Sequence, residues 1–462
     1  MIVLPTRLAA GLLAATTALS LSGAVVAIAP AQAAAPAVQV GLFGSQDPTY
    51  DGAFRQSLGL LAFLAAGQTP PAESVTWLLD QQCADGGFQA FREDTSLACV
   101  ASDHTTYSGP DTNSTGLAAA ALVALGRTAQ ATRARTWLLS TQRPDGGFPY
   151  YAGGDSDANS TASVLVATNN AGLAPSAITN GTFSAVDYVT GLQVGCAGAA
   201  GGEDGGFAYQ DYGTGLVAND IASAQATFAL TGAKLPLTPG ALSSSVPRSS
   251  CPTPTSPSDI TVTKGGAGYL ARLLDAYDGA VPQFDYTSGT RSKGTVSPGD
   301  TAWAALSLTA VGVGSTQVAA ALGVLATATV PTKAAAARSS AGNPATDVPG
   351  VLALAALAAA AGGGSADSVD ALVDRIGATT RLAATPTATP TPSASPSTSG
   401  SATPTSSLTP TGSGTPEVID DSGLLPPSGA GRGTAALGLA GLALLLLGAL
   451  AVVQSRRGVH RA

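Results

Sequence analysis

A seven-residue string recurs along this chain. Gln82 to Phe88 reads QCADGGF, Gln142 to Phe148 reads QRPDGGF, and Glu203 to Phe207 keeps EDGGF, with its glutamine, Gln193, displaced upstream. A repeated motif implies a repeated architecture, because each copy is one unit that buries its apolar face only against its neighbours. The register repeats as well: Trp77, Trp137 and Tyr188 each stand five residues before the glutamine of their copy. Asp-Gly-Gly is a helix stop: the glycines accept positive backbone angles and the aspartate bonds amides that follow it. The phenylalanine then folds back onto apolar surface.

Between about Gln39 and Leu382 the apolar pattern has helical spacing almost throughout, with no alternating run long enough to read as a strand. One class of helix starts at Asp51, Asp111, Asp157, Asp220, Asp300 and Asp347 and ends near Gly67, Gly126, Gly172, Gly232, Gly312 and Gly362. Its members are Ala-rich nearly all round, as in DTNSTGLAAAALVALG from Asp111, which suits helices buried on most sides. Shorter amphipathic segments alternate with them, at about Ser74–Gln82, Arg133–Gln142, Ala185–Gln193, Ala267–Ala276, Gln317–Thr327 and Ser368–Ile376. Six buried and six half-exposed helices in alternation predict an all-α fold, an α/α toroid with an inner and an outer layer. Closure would bring the segment near Val369 to the one near Phe54. The fourth copy is degenerate, DAYDGAVPQF from Asp275 to Phe284, and the fifth and sixth hairpins lack the motif.

The Q-x-x-D-G-G-F repeats resemble those of the terpenoid cyclase and protein prenyltransferase superfamily, the prenyltransferase and squalene-oxidase repeats. The likeness spans roughly Ser74 to Thr309 by motif and the whole helical region by helix count. It implies the toroid and leaves function open, since that fold serves cyclases, prenyltransferases, thioester domains and cobalamin carriers.

The two ends read differently from the helical region. Residues 1–34 form a secretory signal: Arg7, an apolar stretch from Leu8 to Ile28, then Ala31-Gln32-Ala33 as a small-residue cleavage site. Export permits disulfides, and the chain has four cysteines, Cys83, Cys99, Cys196 and Cys251. Of three possible pairings, Cys83 with Cys99 and Cys196 with Cys251 each close a loop between successive helices, contributing about 3 to 4 kcal/mol apiece.

Beyond residues 39–382, the Thr, Pro and Ser-rich stretch 383–424 cannot bury a core and reads as a disordered stalk. Residues 425–462 hold Leu425-Pro426-Pro427-Ser428-Gly429, an apolar run from Thr434 to Val453 long enough for one transmembrane helix, and a basic tail. This ending resembles the cell-wall sorting signal of Gram-positive surface proteins, in which sortase cleaves LPxTG and joins the threonine to peptidoglycan. Ser428 stands where threonine is usual. The resemblance implies sortase and peptidoglycan as partners, a membrane contact through the helix, and a location at the cell wall or on the outer face of the membrane.

Net charge is -8 with only four lysines, so there is no basic stripe to neutralise phosphates and nucleic acid is excluded as a partner. No cofactor or metal is expected: His104 is the only histidine outside the tail, and a solvated loop residue is its simplest reading. Class II terpene cyclases use an Asp-x-Asp-Asp acid; the nearest string here, Asp155-Ser156-Asp157-Ala158, lacks the last aspartate. No GxSxG occurs in the helical region and no Cys-Gly-Glu-Gln anywhere.

The six helix-start aspartates are expected to cap their helices, or in a closed ring to form an acidic rim at one mouth. Beside them fall Tyr150, Tyr151, Tyr209 and Tyr212, among aromatics that follow each helix stop and suit sugar rings or a flat apolar ligand. The expectation is a surface-tethered, non-catalytic domain that binds or displays a small ligand: a hydrophobic molecule, a corrinoid or a glycan. One alternative is a terpene-cyclase-like or glycan-processing enzyme with Asp111, Asp155 and Asp157 as its acids. The other is an adhesin or spacer that meets a partner protein.

Overall fold

The computed structural model describes residues 39–251, 260–285, 290–328 and 347–382. The expected signal, stalk, sorting pentapeptide and transmembrane helix lie outside these residues. Among the described residues no helix is long and apolar enough to cross a membrane.

The protein is all-α. Odd-numbered helices are α1 (Gly52–Ala65), α3 (Thr112–Ala124), α5 (Ala158–Asn170), α7 (Asp220–Leu230), α9 (Pro298–Val311) and α11 (Pro349–Gly362). Even-numbered ones are α2 (Ala72–Asp80), α4 (Thr128–Ser140), α6 (Ala185–Gly191), α8 (Val262–Ala276), α10 (Ser315–Ala328) and α12 (Ala366–Ala378). Both sets match the two expected classes. Each odd helix packs on the next odd helix, α11 packs on α1, and each even helix lies against the odd helix before it, with α4, α8, α10 and α12 also touching the one that follows in the ring. The difference in burial follows: α5 is buried along its whole length, whereas α4 buries only Ala131, Ala134, Trp137 and Leu138. Alanine makes this possible, since it packs backbones closely and leaves no polar group to satisfy.

The chain also forms short antiparallel ladders that helical spacing did not suggest: Phe148–Pro149 with Ser156–Asp157, Thr179–Asn180 with Phe183–Ser184, Phe207–Ala208 with Ala218–Asn219, and Phe284–Asp285 with Thr290–Arg291. At two residues a side they are too short to leave a period-two signature.

The repeated string is a joint between layers. In the second copy Gly146 takes φ +85°, and its backbone lies against the carbonyl of Ser184 at the start of α6; Gly86 and Gly205 repeat this against Arg133 and Gly265. The next glycine lies under an aromatic ring of the following even helix: Gly87 under Trp137, Gly147 under Tyr188, Gly206 under Tyr269. The glutamine ties both sides together. Gln82 Nε2 donates to the carbonyls of Gly86 and Gln130, Gln142 to Gly146 and Ile178, and Gln193 to Gly205 and Val262. The phenylalanine side chains are fully buried, and their N–H groups donate to a hydroxyl on the next odd helix: Phe88 to Thr115, Phe148 to Thr161, Phe207 to Ser223. In the degenerate fourth copy the equivalent residue is Val281, bonded to Thr301 Oγ1 at 2.9 Å, and not Phe284, which is exposed.

Asp85 and Asp145 bond the amides of Gly87 and Gly147 as expected of a helix stop. Asp204 departs from this and pairs with Arg272 and Ser249. The disulfides are Cys83–Cys99 and Cys196–Cys251, the short-loop pairing.

A further joint is assembled from the two ends of the described chain. Phe43 bridges Thr380 as Phe88 bridges Gln82, and Gly41, φ +89°, lies against the carbonyl of Glu73 at α2. Gln56 of α1 accepts the Phe43 N–H and donates to the carbonyls of Gly41 and Ser74. One side chain thus does the work that Thr115 and Gln82 divide between them.

Candidate functional site

The residue two positions after each motif phenylalanine returns over the start of the preceding odd helix. Ala53 N donates to Ala90 O at 2.7 Å, Thr112 N to Tyr150 O at 2.9 Å, and Ala158 N to Tyr209 O at 2.9 Å. This crossing places Tyr150 beside Asp111 and Tyr209 beside Asp157. At α1 the covering residue is a small alanine, and there the carboxyl of Asp51 is met by Arg55 at 2.9 Å.

Of the six helix-start aspartates, only two are caps. Asp111 Oδ1 accepts from Ser114 N at 2.7 Å, and Asp157 Oδ1 from Ser160 N at 2.7 Å, with Ser160 Oγ on the second oxygen. Asp51 holds the cap position of α1 without a side-chain cap bond. Asp220 and Asp300 lie inside their helices, which are preceded by Asn219 and Ser297, and Asp347 stands before Val348 of α11. The offsets at α7 and α9 arise because Asn219 and Ser297, of types well suited to the N-cap position, take that place instead.

Three carboxyls carry an arginine partner. Asp51 pairs with Arg55, Asp220 is held at both oxygens by Arg291 at 2.7 and 2.8 Å with the Tyr269 hydroxyl at 2.5 Å, and Asp347 is held by Arg375. The expected acidic rim is therefore half neutralised. Asp111, Asp157 and Asp300 make no ion pair among the described residues. Burial pushes their carboxyls up to about 7, 6 and 7 in turn, against the lowering effect of their hydrogen bonds.

Asp155, named with Asp157 as a candidate acid, does not join it. Its side chain is 90% exposed and lies 3.6 Å from Arg143, while Asp157 is buried.

Tyrosines gather over the two buried acids. Tyr150 and Tyr151 meet edge to face at 4.6 Å, and Tyr107 meets Tyr151 at 6.1 Å. The Tyr209 hydroxyl lies near the Asp157 carboxyl, and Tyr188 donates to Ser156 O at 2.5 Å. Burial, then the nearby carboxylate, raises the phenol pKa of Tyr150, Tyr151, Tyr188, Tyr209 and Tyr212, so these rings stay neutral. Tyr212 is largely exposed, and so is Tyr107, which sequence reasoning left out of the site. Tyr107 arrives on the loop of residues 92–110, held there by Ser102 Oγ accepting from Ala152 N at 3.0 Å. His104 on that loop is half-exposed beside Asp103, the solvated position expected of it. Among the described residues no group of acids, histidines and cysteines is arranged to hold a metal ion.

No family model matches the chain, and no curated protein does. Among solved structures, a crystal structure of a protein from Actinoplanes aligns at TM-score 0.40 with 19% identity, over 64% of this chain and 76% of that one.

Proposed function

We propose that the chain is a surface-tethered α/α toroid that binds a neutral, hydroxyl-rich ligand, a glycan, at the tyrosine-covered starts of α3 and α5, without chemistry of its own. The cyclic packing of the odd helices within a shell of even ones supports the toroid.

The observation that carries the binding reading is the pair of buried carboxyls without an ion pair among the described residues, Asp111 and Asp157, beneath neutral tyrosines. Tyrosine faces stack on the apolar faces of sugar rings while their hydroxyls and neighbouring acceptors meet the sugar hydroxyls. The acids serve from below, with the Asp157 carboxyl beside the Tyr209 hydroxyl and the Asp111 carboxyl beside Tyr150. A phosphorylated ligand is disfavoured by the same carboxyls, and a neutral one is not.

Raised carboxyls also favour one second reading, a glycan-processing enzyme with Asp157 and Asp111 as acids. Against it, both oxygens of Asp157 are engaged by Ser160 within its own helix turn, and the side chain is 1% exposed.

Native mass spectrometry of the chain secreted from a Gram-positive host tests the binding reading. A stoichiometric extra mass equal to a sugar or oligosaccharide supports it, and a bare polypeptide with two disulfides shifts weight to an adhesin or spacer. With a bound glycan in hand, Asp157→Asn separates the two readings: lost turnover points to the enzyme, altered affinity alone to the binder.

The tether and its partners, sortase, peptidoglycan and the membrane, rest on residues 425–462. Wall-fraction peptides ending at Ser428 would support covalent attachment, and recovery of the whole chain in the membrane fraction would leave the apolar segment as the anchor.

A further inference from the structure

Four odd helices share a register mark. The hydroxyl four residues into each helix, of Thr115, Thr161, Ser223 or Thr301, donates to the capping residue's carbonyl at 2.6 to 2.7 Å and accepts the N–H of the motif residue from the outer joint. That hydroxyl therefore points toward the joint. Positions two residues before and after it lie about 200° round the helix, on the side away from the joint. Those positions are Asn113 and Leu117 on α3, Asn159 and Ser163 on α5, Ile221 and Gln225 on α7, and Trp303 on α9. All are at least nine-tenths buried.

This inward face carries polar atoms that no protein group satisfies. Asn159 Nδ2 donates to Gln225 Oε1 at 3.1 Å across α5 and α7, but Asn159 Oδ1, Asn113 Oδ1 and Trp303 Nε1 have no hydrogen-bond partner among the described residues. Leaving such a group buried and unpaired costs about 1 to 3 kcal/mol each, so three on one face favour a partner there, a ligand group or ordered water. Asp111 Oδ2, two residues above Asn113, is a fourth.

We propose that this face is the inner end of the binding site, taking one hydroxyl-bearing end of the ligand whose ring lies under the tyrosines. Two amide oxygens need donors and one indole N–H needs an acceptor. A hydroxyl group is both, whereas an ammonium donates only and a carboxylate accepts only. The asparagines begin about 1.5 Å, one residue of helix rise, below the level at which Tyr150 and Tyr209 cross, so one small ligand spans both positions. This inference rests on the glycan reading above and adds to it which residues set the depth and orientation of binding.

The test is calorimetric titration of glucose, galactose and N-acetylglucosamine into the full-length secreted chain. Three variants are compared: Tyr151→Ala at the mouth, and Asn113→Leu and Trp303→Phe at the inner face. Trp303→Phe keeps an aromatic ring against Phe228 while removing the donor, together with some buried volume. The expected result is at least tenfold weaker sugar binding in Asn113→Leu, with a melting temperature no lower than the parent's, and a several-fold loss in Trp303→Phe. If Tyr151→Ala weakens binding while both inner variants bind like the parent, the inner position is wrong and the mouth stands. If the parent takes up none of the three sugars, both fall. Parent-like affinity together with ordered water on Asn113 Oδ1 in a crystal structure would assign the face to solvent and overturn the proposal.

Discussion

At the scale of single residues, Asp111 and Gly147 set the sharpest expectations. Burial disfavours the charge of Asp111 and pushes its carboxyl up to about 7, well above the ordinary carboxylate range. The folded state then holds its proton more tightly than the unfolded state, so its contribution is most favourable below pH about 4 and is lost as pH rises through 7. Asp111→Asn keeps an acceptor for Ser114 N and removes the titration. Its melting temperature is expected to fall less than the parent's between pH 4 and 7; parallel curves would refute the assignment.

A Cβ on Gly147 would stand 2.7 Å from the Tyr188 ring, whereas the fourth joint carries Ala280 at the same place, and α10, which follows it, has no aromatic. Gly147→Ala is therefore expected to destabilise by about 1 to 3 kcal/mol through overpacking. Adding Tyr188→Leu should recover part of that loss in denaturant melts, a coupling that independent sites would not show.

At the scale of elements, the glutamine of each joint bonds a carbonyl on both sides of the interface between neighbouring helix pairs. Gln142→Ala leaves the carbonyls of Gly146 and Ile178 without that donor, and a loss of about 1 to 3 kcal/mol in chemical denaturation is expected. An unchanged midpoint would show that water replaces the amide. The helices themselves were legible in the sequence, since alanine-rich and amphipathic runs alternate and the stops are written in glycine. The motif was legible as a stop, but not as a joint, because the partners of Gln142 and Phe148 lie 36 and 13 residues away. In the structure Tyr150 and Tyr151 lie near Asp111, and Tyr209 and Tyr212 near Asp157. The arginines were not anticipated: Arg291 reaches Asp220 across 71 residues, and nothing local marks that pairing. The inward asparagines were visible only as a repeated Asn-Ser-Thr, whose threonine faces the joint and whose asparagine faces away from it.

At the scale of the molecule, the ends of the described chain complete each other. Gly41 N donates to Arg381 O at 2.7 Å, Arg381 N to Leu42 O at 2.9 Å, and Gly44 N to Thr379 O at 3.1 Å, with the Phe43 ring stacked on Phe63 of α1. The sequence hid this because Gly41-Leu42-Phe43 keeps one glycine and the phenylalanine of the motif and has neither its aspartate nor its second glycine. Phe43→Ala should cost about 3 to 5 kcal/mol, as for any large core truncation, and should speed hydrogen exchange in α1, α11 and α12 before the other helices. Uniform exchange across all helices would mean that the seam is no weaker than the rest.

That seam also fixes how the protein bears load. A pull on the chain beyond Leu382 reaches the backbone bonds between residues 41–44 and 379–381 before it reaches any other joint. Under tension these few bonds act as the first link to yield, and an optical trap holding the chain by residues on either side of the seam would record a small early extension there, before the main rupture.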